Sequence, residues 1–582
     1  MSCALDRRSI VALIALLVVT LGPGGAQEPR RAPYTPPPPE TIHSVPAEHG
    51  MVVAQEKLGA QIGADILRRG GNAVDAAVAT GFAMAVTYPQ AGNIGGGGFM
   101  VIHMRARGED VAIDYRETAA RATTPQIFLG SDGRPDAAKS RDSALGIGVP
   151  GTVAGLALAL EKYGSGKFTL ADLLQPAIEL AQAGFVVTDN FADSLPEWHK
   201  RIVRWPSSAK LFSRSDGTPL QDGDRFVQPD LAATLSLIAA QGPRGFYEGP
   251  VAEKLVKAVD DAGGIMTIED LKSYTAVIRE PVRGTYRGYD IVSMPQSSSG
   301  GIVLVEMLNI LEGFPIADMK QGSVASLHLM IEAMKRAYAD RARYLGDPAV
   351  TDKSEAKLIA KDYAQKQRAS INTDRATPWN EMLAVTSPHE GSNTTHFSVV
   401  DSSGNAVSNT YTLNFPYGVG LVAEGTGVLL NNELDDFTAA PGASNAYGLV
   451  GYEANLPGPG KRPLSSMSPT IVLKDGRPVL VTGSPGGSRI ISTVLQVIVD
   501  VLDYHMDVAA AVAAPRLHHQ WQPDEVKIER GFPDEVLAGL KAKGHQLVEP
   551  MGPTSANSIA VTANGLEGAP DPRSRGSEAA GQ

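Results

Sequence analysis

The stretch Gly391-Ser-Asn-Thr-Thr-His-Phe-Ser-Val399 decides how this chain is interpreted, because it places Thr394 at the start of a strand-like run. A threonine hydroxyl is a poor nucleophile without a base beside it, but at a chain's N-terminus its own α-amine supplies that base. The Thr394 hydroxyl can attack the Asn393 carbonyl and form an ester that water hydrolyses, which would expose Thr394 as a new N-terminus. Taken alone, Thr394 and Thr395 also fit ordinary β propensity.

The residues that follow Thr394 predict two β-hairpins. Residues 395–400 and 406–413 are strand-like and are joined by Asp-Ser-Ser-Gly-Asn, a turn composition. Residues 470–473 and 478–481 form a second such pair around Lys-Asp-Gly-Arg, and an apolar helix is predicted from Ile490 to about Leu502.

Upstream of these hairpins the pattern is helical. One helix is predicted to run to about Arg69, to end at Gly70-Gly71, and to restart with Asn72 as its N-cap. The second segment, 73–86, is apolar nearly all round and is therefore expected to be buried. A glycine run then leads into a strand-like segment at 99–103. Strands followed by apolar helices in both halves predict sheets covered by helices.

Composition and the N-terminal segment narrow the class of protein. The 582 residues carry a net charge of −11 and no long basic tract, which argues against nucleic-acid binding. Arg7 and Arg8 precede an apolar run at 10–21, so residues 1–26 are predicted to be a signal peptide and 27–44 a Pro-rich linker. An N-terminal membrane anchor and twin-arginine export are the alternatives. We expect an exported protein, periplasmic or secreted, without a membrane span in its mature form.

Familiar catalytic signatures are missing from the sequence. It contains no Gly-x-Ser-x-Gly elbow, no His-Glu-x-x-His helix and no dinucleotide-binding glycine motif in a convincing βαβ unit. The adjacent His518 and His519 would point to opposite faces of a strand and could not share a metal easily. No metal and no organic cofactor are therefore expected.

Seven separate motifs carry a resemblance to a known family. In chain order they are Gly70-Gly-Asn-Ala-Val-Asp-Ala-Ala, Ile94-Gly-Gly-Gly-Gly-Phe, Asp114-Tyr-Arg-Glu-Thr-Ala, Asn393-Thr-Thr-His-Phe-Ser-Val, Asn431-Asn-Glu-Leu-Asp-Asp-Phe, Pro463-Leu-Ser-Ser-Met-Ser-Pro and Gly483-Ser-Pro-Gly-Gly-Ser. Over nearly the whole mature chain the sequence resembles the gamma-glutamyltranspeptidase family of N-terminal-nucleophile hydrolases. The resemblance implies the four-layer αββα fold and self-cleavage between Asn393 and Thr394. The large subunit, 45–393, and the small subunit, 394–582, would share one core as a heterodimer.

The resemblance also assigns roles to individual residues. A gamma-glutamyl donor carries an α-carboxylate and an α-ammonium, so its site needs both signs of charge. The family's pattern implies Arg116, Ser465 and Ser466 for the carboxylate, and Glu433, Asp436 and Asn414 for the ammonium. It implies Thr394 as nucleophile, Thr412 as its hydrogen-bond partner, backbone N–H groups of Gly486 and Gly487 as oxyanion hole, and Tyr447 on a lid over 437–462.

The expected activity is gamma-glutamyl transfer. Thr394 would take the gamma-glutamyl group from glutathione or a related donor and pass it to water or to an acceptor amine of an amino acid or peptide. Thr395 could be catalytic or could pack in the strand, whereas Asp75, Arg121 and Asp435 are expected to serve folding. Two rival readings stay open: a glutaryl or cephalosporin acylase on the same scaffold, and a non-catalytic relative.

Overall fold

The structure of the protein is a computed structural model, and it describes residues 37–38, 41–349, 354–378 and 394–582. The predicted signal peptide and Asn393 lie outside these described residues. The strands within them are β1 (Val45–Ala47), β2 (Gly50–Ala54), β3 (Gly97–Met104), β4 (Glu109–Tyr115), β5 (Phe185–Val186), β6 (Arg225–Phe226), β7 (Val277–Arg279), β8 (Val282–Tyr286), β9 (Tyr289–Ser293), β10 (Thr395–Asp401), β11 (Ala406–Thr412), β12 (Val422–Ala423), β13 (Val428–Leu429), β14 (Thr470–Lys474), β15 (Arg477–Thr482), β16 (Leu517–His518), β17 (Val526–Ile528), β18 (Leu547–Val548), β19 (Ser558–Thr562), β20 (Gly565–Ala569) and β21 (Glu578–Gly581).

The helices lie mostly between the first strands and in the long middle part of the chain. They are α1 (Lys57–Arg68), α2 (Ala73–Thr87), α3 (Ala137–Arg141), α4 (Thr152–Tyr163), α5 (Leu170–Ala183), α6 (Asp189–Ile202), α7 (Pro206–Phe212), α8 (Pro229–Gln241), α9 (Arg244–Tyr247), α10 (Gly249–Asp261), α11 (Ile268–Lys272), α12 (Gly300–Leu311), α13 (Val324–Tyr344), α14 (Ser354–Leu358), α15 (Lys361–Ala369), α16 (Arg489–Leu502), α17 (Val508–Ala513) and α18 (Asp534–Ala542).

Two seven-stranded sheets form the centre of the fold. One has the strand order β21-β2-β10-β11-β3-β4-β7, and the other has the order β1-β20-β19-β15-β14-β9-β8. The first sheet packs against the second through β10 and β11, which contact β14 and β15. Helices α1, α2 and α4 cover the outer face of the first sheet, while α12 packs on the second and α16 packs on α12. The predicted four-layer αββα arrangement is confirmed.

The central strands of the first sheet, β2, β3, β10 and β11, are buried along their whole length, although β10 and β11 carry polar as well as apolar side chains. In β2, Val52 and Ala54 enter the core beneath α1 and α2, whereas Met51 and Val53 enter the core between the sheets. Complete burial of each such aliphatic side chain stabilises the fold by roughly 1.5–3 kcal/mol. A central strand with two buried faces gives the rigid frame that an active site at its end requires.

The predicted break between the first two helices is also confirmed. α1 ends at Arg68, and α2 begins at Ala73 with Asn72 as its N-cap. The Asn72 side chain accepts from the backbone N–H of Asp75, whose carboxylate accepts from the backbone N–H of Asn72. This reciprocal capping box gives Asp75 the folding role that the sequence predicted.

Segments from before and after position 394 alternate within both sheets. β10 and β11 lie between β2 and β3, and β19, β20, β15 and β14 lie between β1 and β9. Residues 36–582 form one compact unit where the structure describes them. None of the helices in the described ranges has both the length and the apolar character that a membrane crossing needs.

Candidate active site

The position of Thr394 follows from the register of one hairpin. Thr395 pairs with Tyr411 across β10 and β11, so Thr394, one residue before β10, lies opposite Thr412 at the end of β11. The Thr394 hydroxyl donates to the Thr412 hydroxyl at 3.4 Å, and Thr412 Oγ1 also accepts the backbone N–H of Asn414 at 2.9 Å. Thr394 is 3% exposed. A buried, oriented hydroxyl at a strand terminus is suited to nucleophilic attack.

Arg116 brings the predicted charged residues together. It directly follows β4 and is completely buried. Its two terminal nitrogens pair separately with the carboxylates of Glu433 and Asp436, which lie on one 3-10 turn, and its Nε donates to the carbonyl of Pro463 at 3.1 Å. A planar guanidinium can hold two carboxylates at once, which a lysine ammonium cannot do with the same geometry.

The cluster around Arg116 has more acidic than basic groups. Glu117 is fully buried 4.0 Å from the guanidinium, and neither of its carboxylate oxygens has a hydrogen-bond partner in the described part of the chain. Burial raises the pKa of Glu117 to about 8 and also raises the pKa values of Glu433 and Asp436. Burial alone would lower the pKa of Arg116, but Glu433 and Asp436 outweigh it, so the net pKa is raised. The guanidinium therefore stays charged, and the surplus of carboxyl groups favours a ligand that brings its own cation.

Ser465 and Ser466 present their hydroxyl groups to the same cavity. Ser465 Oγ accepts the backbone N–H of Met467 at 3.1 Å, and Ser466 Oγ accepts from Arg341 at 3.3 Å. Because each oxygen already accepts, its proton is available to donate to a carboxylate. Burial lowers the pKa of Arg341 to about 10, so this second guanidinium still carries its charge at neutral pH.

Tyr447 connects the predicted lid to Asn414. Its hydroxyl donates to the Asn414 side-chain oxygen at 2.5 Å, and the Asn414 amide nitrogen donates to the carbonyl of Asn432 at 3.0 Å. Asn414 has a φ of 73°, a left-handed conformation that asparagine tolerates better than most residues. Its amide oxygen has a second lone pair and can still accept from a ligand.

The glycine pair Gly486-Gly487 lies in a turn that excludes larger residues. Gly486 has a φ of 133° and Gly487 a φ of 59°. A Cβ atom added to Gly487 would lie 2.3 Å from a ring carbon of Tyr447. This geometry brings the Gly487 backbone close to the cavity wall, as an oxyanion-binding turn requires.

One small cavity has nearly all of the predicted site residues in its wall. They are Arg116, Thr394, Thr412, Asn414, Glu433, Asp436, Tyr447, Ser465, Ser466 and Gly487. Gly486 instead lines a second cavity that also contains Thr394. Sequence reasoning missed the apolar wall residues Leu449, Met467 and Ile490, as well as Glu117 and Arg341. Glu117 lay within a matched motif, whereas Arg341, in the last turn of α13, gave no local signal.

Several other candidates lie outside this cavity. The Thr395 hydroxyl is buried and has no hydrogen-bond partner within the ranges that the structure describes. Asp435 accepts from Ser140 and from the backbone of Ala446, consistent with a folding role. Arg121 is exposed on the surface, with its backbone N–H bound to Asp270.

Four buried histidines, His328, His518, His519 and His545, are engaged in internal hydrogen bonds. His518 bonds Ser492 and Gln520, and His519 bonds Asp524. Among the described residues, one group with metal-ligand spacing comprises His328, Glu332 and His545. Most of its potential ligand atoms already have protein partners: the His328 ring bonds His545 and the carbonyl of Asn372, and Glu332 accepts from Arg336 and Thr377.

Comparison with known proteins agrees with this geometry. The model of the gamma-glutamyltranspeptidase family matches residues 59–581. A glutathione hydrolase proenzyme of Escherichia coli (strain K12) is 49% identical over 573 residues, covering 97% of each chain. The solved cephalosporin acylase of Bacillus halodurans has a TM-score of 0.81 at 26% identity and covers 96% of this chain and 99% of its own. The solved gamma-glutamyltranspeptidase of Helicobacter pylori has a TM-score of 0.54 at 46% identity, covering 55% of this chain and 91% of its own.

Proposed function

Because this chain belongs to the gamma-glutamyltranspeptidase family, we propose that it is a self-cleaving gamma-glutamyltransferase and glutathione hydrolase whose nucleophile is Thr394. The observation that carries the proposal is that the Thr394 hydroxyl, in contact with Thr412, shares one small cavity with Arg116, Glu433 and Asp436. A nucleophile beside groups of both charge signs suits a substrate that carries a carboxylate and an ammonium near its reactive carbonyl.

The first reaction is cleavage of the chain itself. The Thr394 hydroxyl attacks the Asn393 carbonyl, the peptide bond becomes an ester, and water hydrolyses the ester to leave Thr394 with a free α-amine. Thr412 accepts the hydrogen bond of the hydroxyl at 3.4 Å and so orients its oxygen for attack. The new α-amine then acts as the base for the same hydroxyl in catalysis.

The catalytic cycle is a two-step acyl transfer. Thr394 attacks the gamma-carbonyl of glutathione or a related donor, the backbone N–H groups of Gly486 and Gly487 stabilise the developing oxyanion, and the amine side leaves. Water or an acceptor amine then attacks the gamma-glutamyl ester and regenerates Thr394. Each oxyanion-hole donor is worth about 3–4 kcal/mol of transition-state stabilisation.

The donor is recognised by groups of the charged cluster that can still form hydrogen bonds with a ligand. Arg116 pairs with the donor's α-carboxylate, assisted by the hydroxyl protons of Ser465 and Ser466. The Oε2 atom of Glu433 is buried and has no hydrogen-bond partner among the residues that the structure describes, so it can accept from the donor's α-ammonium together with Asp436. Burying an unpaired carboxylate oxygen is costly, and an ammonium ligand removes that cost.

The two pieces remain associated as a heterodimer after cleavage. The large subunit, 45–393, contributes β2 and β3 on either side of the β10–β11 hairpin of the small subunit, 394–582. Separating them would expose both faces of a buried sheet and break its hydrogen bonds. The N-terminal 26 residues act as an export signal, which makes the mature enzyme periplasmic or secreted.

A cephalosporin or glutaryl acylase is the second candidate, and the similarity to the Bacillus halodurans acylase favours it. Glutaryl groups lack the α-ammonium, so such an enzyme has no use for the buried carboxylates Glu433 and Asp436. Comparing hydrolysis of gamma-glutamyl p-nitroanilide with that of glutaryl p-nitroanilide separates the candidates. Preference for the glutaryl substrate would reject gamma-glutamyl transfer as the main activity.

Replacement of Thr394 by alanine tests both reactions together. The wild-type protein should migrate as two fragments on a denaturing gel, with Thr394 at the N-terminus of the smaller one, and should hydrolyse gamma-glutamyl p-nitroanilide. The Thr394→Ala protein should remain one chain and have no measurable hydrolysis. Thr395→Ala is the matched control, because it removes a neighbouring hydroxyl that lines neither cavity. A cleaved and active Thr394→Ala protein would exclude this nucleophile.

A further inference from the structure

Arg341 is a buried cation beside the small cavity that contains Thr394 and Arg116, the donor cavity. It lies in the last turn of α13 and is 4% exposed. None of the carboxylates that the structure describes forms an ion pair with it, whereas Arg116 is paired with both Glu433 and Asp436. Burying a guanidinium is costly unless an anion compensates its charge. This imbalance indicates an anion that arrives with a ligand.

Two hydrogen bonds connect Arg341 to the serine pair of the donor cavity. Its Nη2 atom donates to the Ser466 hydroxyl at 3.3 Å, and its Nε atom donates to the Ser299 hydroxyl at 2.9 Å. Ser299 extends the second contact, because its own hydroxyl donates to the carbonyl of Ser465 at 2.7 Å. A single guanidinium therefore holds both of the serines that line the donor cavity.

We propose, building on the function above, that Arg341 is a positioning residue for the donor's α-carboxylate and that it acts through the Ser466 hydroxyl. Ser466 Oγ accepts from the guanidinium, and within the described residues its proton donates to no other group. That proton is therefore free to donate to a carboxylate in the cavity. A hydroxyl polarised by a neighbouring cation forms a stronger hydrogen bond to a carboxylate than an isolated hydroxyl does.

The charges of the occupied site explain the need for a second guanidinium. Arg116 already offsets the pair Glu433 and Asp436, so its charge alone does not compensate another carboxylate. With Arg341 included, two guanidinium groups and the donor's ammonium face Glu433, Asp436 and the donor's carboxylate. Burial lowers the pKa of Arg341 most, and the charges of Asp436 and Arg116 also act on that pKa. Arg341 therefore belongs to the same electrostatic cluster as these two residues.

The preceding turn of α13 fixes Arg341 in place. Tyr338, three residues earlier, donates to the carbonyl of Ser488, the residue directly after the glycine pair. The Tyr338 ring also meets the His518 ring edge-on, with 5.5 Å between the centroids. Arg341 thus projects from a part of the helix that is anchored beside the glycine turn. A group held in this way needs little rearrangement when the donor binds.

Three substrates separate carboxylate recognition from a merely structural role. Gamma-glutamyl and glutaryl p-nitroanilide both carry the carboxylate, whereas 4-aminobutyryl p-nitroanilide lacks it. Arg341→Gln should lower kcat/KM by roughly tenfold or more on the first two, mainly through a higher KM, and by less than about twofold on the third. Arg341→Lys keeps the charge with one bond fewer and should lose about threefold, again on the first two substrates only. Arg343→Gln is the matched control and should change none of the three, because Arg343 stacks on Trp521 and lies outside the donor cavity.

A double-mutant cycle tests whether Arg341 acts through Ser466. In a Ser466→Ala background, Arg341→Gln should lower kcat/KM for the gamma-glutamyl anilide by less than about threefold, because the connecting hydroxyl is already absent. Fully multiplicative losses in this cycle, or equal losses on all three substrates, would overturn the assignment.

Self-cleavage reports folding in each variant, since the two fragments appear on a denaturing gel without any donor. If Arg341→Gln does not yield them, Arg341→Lys makes the same comparison with the buried charge retained, and its loss must again be confined to the substrates that carry a carboxylate. Absence of gamma-glutamyl hydrolysis in the wild-type protein would instead refute the proposed function itself.

Discussion

Replacing Arg116 by lysine separates the geometry of donor recognition from its charge. In the structure the guanidinium contacts Glu433 and Asp436 through different nitrogens and the carbonyl of Pro463 through a third. An ammonium offers a single nitrogen and cannot reproduce this arrangement while also pairing with a substrate carboxylate. The change keeps the positive charge that the surrounding carboxylates require, so the chain should still fold and cleave itself.

The expected loss follows from the bonds removed. A charge-assisted hydrogen bond contributes about 1.5–3 kcal/mol, and lysine would lose one of the two bonds that Arg116 can form with the donor's α-carboxylate. Since 1.4 kcal/mol corresponds to a factor of ten, kcat/KM for the gamma-glutamyl anilide should fall by roughly 10- to 150-fold. The carboxylate contact exists in both the bound donor and the transition state, so most of the loss should be a higher KM.

The assay uses a substrate that lacks the group in question. A 4-aminobutyryl anilide is the gamma-glutamyl anilide without its α-carboxylate, so Arg116→Lys should lose little or nothing against it. The ratio of kcat/KM for the gamma-glutamyl anilide to kcat/KM for the 4-aminobutyryl anilide should therefore fall strongly in the variant. Equal losses on both substrates, or a change below threefold on the gamma-glutamyl anilide, would refute carboxylate recognition by Arg116. Arg116→Met is the comparison variant that removes the positive charge. It should destabilise the fold by about 3–5 kcal/mol, because the buried carboxylates around position 116 lose their cation.

Two further predictions concern the glycine turn and Glu117, the buried acid next to Arg116. Gly487→Ala should lower kcat/KM for the gamma-glutamyl anilide by about 10²- to 10³-fold. The new Cβ would lie 2.3 Å from the Tyr447 ring and would therefore displace the turn. A loss below threefold in steady-state assays would contradict this prediction. Burial raises the pKa of Glu117 to about 8 from 4.5 for the free side chain, so between these values the fold binds a proton that the unfolded chain releases. The stability of the wild type relative to Glu117→Gln should thus decrease as pH rises from about 4.5 through 8, and a difference in Tm that is constant with pH would disprove it.

The strands and helices that carry the site could be predicted, because they depend on patterns between residues close together in the sequence. The hairpin of residues 395–400 and 406–413 carries its turn composition in the sequence, and its register alone places Thr394 opposite Thr412. The break between α1 and α2 was likewise specified by Gly70, Gly71 and Asn72. The family membership predicted from seven motifs is confirmed by the match over residues 59–581.

The partners of the charged residues could not be predicted in the same way. Arg116 and Glu433 are 317 residues apart, and only the path of the chain through both sheets brings them together. The motif match assigned them to opposite ends of a ligand, and the structure adds that they also pair with each other. Arg341 lies 125 residues from Ser466 in a helix of mixed composition. The second cavity arises from both segments of the chain and has no linear signature.

One rigid arrangement can serve both self-cleavage and acyl transfer. β10 is hydrogen-bonded to β2 on one side and to β11 on the other, so the position of Thr394 is set by strands on both sides of the cut. Breaking the bond to Asn393 removes none of these strand contacts. On the proposed function, the Thr394 hydroxyl therefore keeps its contact with Thr412 when it attacks a donor, and the cut adds only an α-amine as base. It follows that variants which disturb the register of this hairpin should impair both reactions, whereas changes confined to the donor charges should impair only the second.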